Sequence, residues 1–77
     1  MTDESVLHHI KELADEEHRL YQEGDLTPEK DERLARIKTE LDQCWDLLRR
    51  RRAREEFGED PDQERVRPAE VVENYRQ

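Results

Sequence analysis

Among 77 residues there are one cysteine, one tryptophan, one phenylalanine, one serine, two glycines and three prolines. Each scarcity removes a class of protein. A single cysteine permits no internal disulfide, which suits a reducing cytosol. Gly24 and Gly58 stand alone, so there is no glycine-rich loop to cradle a phosphate. The only serine, Ser5, has no histidine–acid arrangement around it, and nucleophilic catalysis through it is not expected. No apolar run approaches the ~20 residues of a membrane-spanning helix. The opening MTDESVLHHI is acidic where a secretory signal would be basic, so a cytoplasmic location is expected.

Apolar residues are also few, at 31% against 47% charged, so any core is thin and periodicity must decide between disorder and solvated helices. The net charge of −8 disfavours general nucleic-acid affinity. That charge is uneven. Residues 1–26 carry eight acids and two bases, and residues 55–77 carry eight acids and three bases. Between them Arg49, Arg50, Arg51, Arg52 and Arg54 form a basic island containing no acid.

Val6, Leu13 and Leu20 share one heptad position, and Leu7, Ala14 and Tyr21 share the next. This stripe predicts an amphipathic helix over about residues 3–23, capped by Thr2 or Asp3 and ended by Gly24. Thr27-Pro28 then reads as an N-cap followed by proline at the first helical position. Leu34, Ile37, Leu41, Cys44 and Leu48 recur at steps of three and four, and no Gly or Pro intervenes from 29 to 57. A second helix is therefore expected to run to Phe57 and stop at Gly58. The short connection implies an antiparallel hairpin over residues 1–58, with Val6 falling near Cys44 and Trp45 and the arginines just beyond the first helix. The remainder, 59–77, reads as a tail, irregular and then weakly helical. Asp60 would cap one short turn, and Val71, Val72 and Tyr75 would share a face of a helix begun at Pro68.

The fold class is thus all-α. A stripe containing Trp45, Leu47 and Leu48 is too wide for one other helix to cover, which predicts a homodimeric four-helix bundle or a helical protein partner. These three residues would anchor that interface. The arginine island would set electrostatic register or dock an acidic partner, with Asp46–Arg50 as an internal pair and Glu55 and Glu56 neutralising Arg51 and Arg52. The favoured function is a non-catalytic protein–protein interaction or adaptor module, with no cofactor. The second reading is a nucleic-acid-binding dimer presenting two arginine islands. The third is a di-metal bundle, suggested by Asp15, Glu16, Glu17 and His18 with His8 and His9 upstream. The stripe speaks against the third, because Asp15 and His18 lie off the seam and the second helix has no matching carboxylate-x-x-His. Cys44 sits on the apolar stripe and reads as a small hydrophobe.

DEEHRLY (15–21), LDQCWDLLRRRRA (41–53) and DPDQERVRPAEVVENY (60–75) resemble a family of small actinobacterial proteins classed only as a domain of unknown function. The resemblance spans nearly the whole chain and implies a cytosolic bacterial protein. It brings no activity, cofactor or site residues.

Overall fold

Two helices of unequal length, antiparallel and joined by a five-residue link, form the body of the protein in a computed structural model that describes residues 2–74. Helix α1 spans Asp3–Gln22 and helix α2 spans Pro28–Glu56. A single 3-10 turn follows at Pro61–Gln63, then a short helix α3 at Ala69–Asn74. The molecule measures 48 × 27 × 15 Å, and its long dimension is essentially that of α2, about 43 Å at 1.5 Å per residue.

The boundaries follow from local chemistry. Thr2 Oγ1 accepts from the Ser5 amide at 3.1 Å while Ser5 Oγ accepts from the Thr2 amide at 3.1 Å, a reciprocal capping box. Asp3 and Glu4 occupy the first turn, where the helix dipole favours acids. At the second start, Thr27 Oγ1 accepts from the Lys30 amide at 3.2 Å, and Pro28 occupies a position that needs no amide proton. Both helices end near glycines with positive φ, +92° at Gly24 and +74° at Gly58, a backbone conformation that a side chain would strain. The Asp60 carboxylate caps the 3-10 turn by accepting from the Asp62 amide at 3.0 Å.

The seam between α1 and α2 contains two linked clusters. Val6 and Ile10 pack with Leu47 and Leu48, and Leu13 and Leu20 pack with Leu34 and Ile37, while Leu41 and Cys44 touch both. Val6 lies by Cys44, as counting from the link predicts, and its contacts extend a further turn along α2 to Leu47 and Leu48. A bidentate ion pair closes the turn end: Arg33 Nε and Nη2 each reach Glu16 at 2.6 Å.

Past Gly58 the chain folds back along α2, and both the 3-10 turn and α3 pack against that helix. The Pro68 carbonyl accepts from the Val71 and Val72 amides, so α3 starts one residue after the proline. Val72 is buried but Val71 is exposed, so the two do not share an inward face as expected, and Tyr75 lies outside the described residues.

Ile37 has no exposed surface and sits at the middle of the seam. Its replacement by alanine is expected to lower the unfolding free energy by about 2–5 kcal/mol, measured by urea denaturation followed by circular dichroism.

Candidate interaction face

Successive residues of a helix project about 100° apart, so five arginines in six positions cannot share one face. The structure sends them three ways. Arg50 and Arg54, four apart, reach the returning tail. Arg50 Nε donates to Asp46 Oδ2 at 3.0 Å and its Nη2 to the Arg65 carbonyl at 2.6 Å, while Nη1 bonds Glu64. Arg54 Nε donates to Glu64 Oε1 at 2.7 Å, and its Nη1 reaches Gln63 and Glu59. Arg51 turns the other way and is 4% exposed. Its Nε donates to Asp3 Oδ1 at 2.9 Å, and its Nη1 donates to the Pro61 carbonyl at 3.1 Å and Asp62 Oδ1 at 3.0 Å. Arg49 and Arg52 remain exposed and, among the described residues, without an ion pair.

Two expectations are corrected by these contacts. The arginines do not lie beyond α1, because Arg51 holds its first turn. Nor does Glu55 neutralise Arg51, since Asp3 and Asp62 take that role from segments distant in sequence. A reciprocal clasp runs from the tail to α2: Arg67 Nε donates to Asp46 Oδ2 at 2.9 Å, its Nη2 bonds Asp46 Oδ1, and Gln43 Nε2 donates to the Arg67 carbonyl at 3.1 Å. Asp46 is therefore a buried carboxylate between two guanidiniums. The hydrogen bond from Arg67, then that from Arg50, holds its pKa below the usual carboxylate range against the opposing effect of burial. Arg54 and then Arg50 lower Glu64 in the same way.

The proposed anchors separate as well. Leu47 and Leu48 are each 2% exposed, enclosed by Val6 and Ile10 within one chain, with Val66 bordering Leu47 across a shallow recess. They are not available as surface anchors. The reason is the path of the tail, which covers the flank of α2 that carries Gln43, Leu47 and Arg50. Trp45 projects to the opposite flank and stays 41% exposed. Measured from Ile37, Leu47 lies about 80° to one side of the seam and Trp45 about 80° to the other.

The antiparallel pairing brings one heptad position of α1 to Trp45's side. It carries Leu7, Ala14 and Tyr21, all exposed. The tail-free face therefore presents Leu7, Tyr21 and Trp45, with Arg49 and Arg52 one and two turns beyond the tryptophan. Phe57, 79% exposed, lies apart from this face in a recess walled by Arg50, Arg54, Glu59 and Glu64.

The other candidates disperse. Asp15 is tied to Lys11 at 2.9 Å, Glu16 to Arg33, and His8 to Glu12 at 2.9 Å, while His18 is exposed. Among the described residues no three histidine, cysteine or acidic side chains converge as a metal site. Cys44 borders the apolar recess, where burial first and the charge of Glu40 second raise its thiol pKa. That is the opposite of nucleophile activation. No helix of the described residues is long and apolar enough to cross a membrane.

Residues 2–77 match the profile of a family described as "Protein of unknown function (DUF2630)". The chain belongs to that family. It is 47% identical over 78 residues to the uncharacterized protein Rv0898c of Mycobacterium tuberculosis and, to the same extent, to the uncharacterized protein Mb0922c of Mycobacterium bovis. Each alignment covers 96% of this chain and 90% of the relative. No solved structure matches. The actinobacterial resemblance read from the sequence is thereby established.

Because the Asp46 carboxylate ionises below its unfolded value of about 3.9, its stabilisation is complete at neutral pH and is lost as pH falls through the folded value. Asp46→Asn is expected to lower stability by about 2–3 kcal/mol at pH 7, with the gap to wild type narrowing below about pH 4. Urea denaturation of both proteins across pH measures this.

Proposed function

We propose that the protein is a non-catalytic interaction module acting in the cytosol, which binds a helical protein surface through its tail-free face. The observation that carries this reading is the apolar surface that the tail leaves uncovered on one flank of the hairpin. The tail covers one flank of the hairpin with a dense set of ion pairs, and the other flank keeps Leu7, Tyr21 and Trp45 together at its surface. Large aromatic and aliphatic side chains gathered on one face, rimmed by arginine, have the composition of binding hot spots. The surface is also narrow and long, the shape that fits another helix laid along it.

Arg50, Arg51 and Arg54 are committed to carboxylates of the same chain, which leaves Arg49 and Arg52 for a partner. Two free arginines in the island, on a chain of net charge −8, are too few to hold a phosphate backbone, so the nucleic-acid reading is not carried further. The internal ion pairs also change what a charge reversal tests. Reversing Arg50 and Arg51 would detach the tail and the first turn of α1, whereas reversing Arg49 and Arg52 touches only the surface.

A photo-cross-linking amino acid placed at Trp45 in the cell of origin is expected to yield protein adducts. The same probe at Arg65, on the exposed side of the tail, is expected to yield none. Equal labelling from both positions, or none from either, would remove the tail-free face as a docking surface.

A further inference from the structure

We propose that the tail and the first turn of α1 form one latch, jointed at Arg51, which opens as a unit while the rest of the hairpin stays folded. Its opening uncovers Leu47 and the thiol of Cys44. This device lies on the tail flank and does not depend on what binds the opposite face.

The two parts of the molecule are held by different forces. Of the nine apolar residues buried among those described, eight belong to α1 and α2 and only Val72 to the tail. Val66 and Val71 stay exposed. The tail is held to α2 by charge instead: Glu59 to Arg54, Asp62 to Arg51, Glu64 to Arg50 and Arg54, and Arg67 to Asp46. Ions released together regain their hydration, which offsets much of the attraction they lose. Parting α1 from α2 would instead wet the seam. The tail is therefore the segment that opens at the lowest cost.

Arg51 extends that opening to α1. Residues 2–5 carry no apolar side chain, and Asp3 ties them to α2 through its 2.9 Å bond from Arg51 Nε. Nη1 of the same guanidinium reaches Pro61 and Asp62. The group is buried, so water gains access to it only when one of its two covering segments moves. Once that happens the guanidinium rehydrates on the opened side, and the forked geometry that holds the other segment is lost. Two segments from opposite ends of the chain thus share one opening.

The recess beside Cys44 shows what the opening exposes. Val6 and Val66 wall it, and Cys44 and Leu47 line it between them. Val66 lies on the tail between the anchors Glu64 and Arg67. Val6 follows directly on the first turn, and its amide donates to the Thr2 carbonyl at 3.1 Å. Loss of the joint at Arg51 loosens both walls at once.

Hydrogen exchange of the full chain, followed amide by amide by NMR, tests the coupling. The Ser5 and Val6 amides bond to Thr2 and report the first turn, and the Gln63 and Glu64 amides bond to the Asp60 and Pro61 carbonyls and report the tail. The amide of Ile37 reports the seam. D62K, in the tail, is expected to speed exchange at Ser5 and Val6 by about fivefold or more. D3N, in α1, is expected to do the same at Gln63 and Glu64. Arg51→Lys keeps the charge but not the fork, and should speed both pairs. Ile37 should stay slow throughout, and alkylation of Cys44 by iodoacetamide at fixed pH should quicken in all three variants.

Acceleration confined to the substituted segment overturns the proposal. So does equal acceleration of Ile37, which would mean that tail and hairpin open only together, or an unchanged rate of Cys44 alkylation. Asp62 is largely exposed, so D62K keeps the test decisive even if position 51 does not tolerate lysine.

Discussion

The guanidinium of Arg51 holds three separate pieces of chain in one place. It lies almost wholly out of water, and its nitrogens reach the first turn of α1 through Asp3 and the post-helical turn through Pro61 and Asp62. A buried arginine is tolerable only when its donors are paired with geometry this complete. Remove either carboxylate and the remaining charge is stranded, so the start of α1 and the return of the tail are conditions for each other. The nine buried apolar residues among those described are few for a chain of this size, and ion pairing between sequence-distant segments supplies the specificity that a thicker core would otherwise give.

That constraint decides which flank of the hairpin is covered. Once Arg51 fixes the turn after Gly58, the tail runs back beside Arg50, Arg54 and Asp46, and Glu64 and Arg67 secure it residue by residue. Leu47 is enclosed as a consequence. Trp45, only two positions earlier but on the other side of the seam, is not. The surface left for partners is thus set by internal electrostatics, because the ion pairs choose the path of the segment that does the covering.

The helices were legible in the sequence because their ends are written in single residues: Thr2, Thr27 with Pro28, and the two glycines. The seam was legible from the three-and-four spacing of Leu34, Ile37, Leu41, Cys44 and Leu48. What could not be read was the side of α2 that the tail would take, since periodicity gives a stripe and its width but not the direction from which a non-helical segment approaches. A signal did exist. The island 49–54 is followed at once by a segment with eight acids and three bases, and opposite charges so near in sequence need only one turn to meet. Treating the leucines beside the island as partner-facing overlooked that the chain carries its own acidic strap.

Self-association argued from thin-core energetics alone would lose much of its force here, because α1 encloses Leu48 and, with the tail beside it, Leu47. What the monomer leaves uncovered is decided by the same ion pairs that close it. A chain that spends Arg50, Arg51, Arg54 and Arg67 on its own carboxylates secures the tail along the flank of α2 that carries Leu47, and so leaves Leu7, Tyr21 and Trp45 exposed on the other flank.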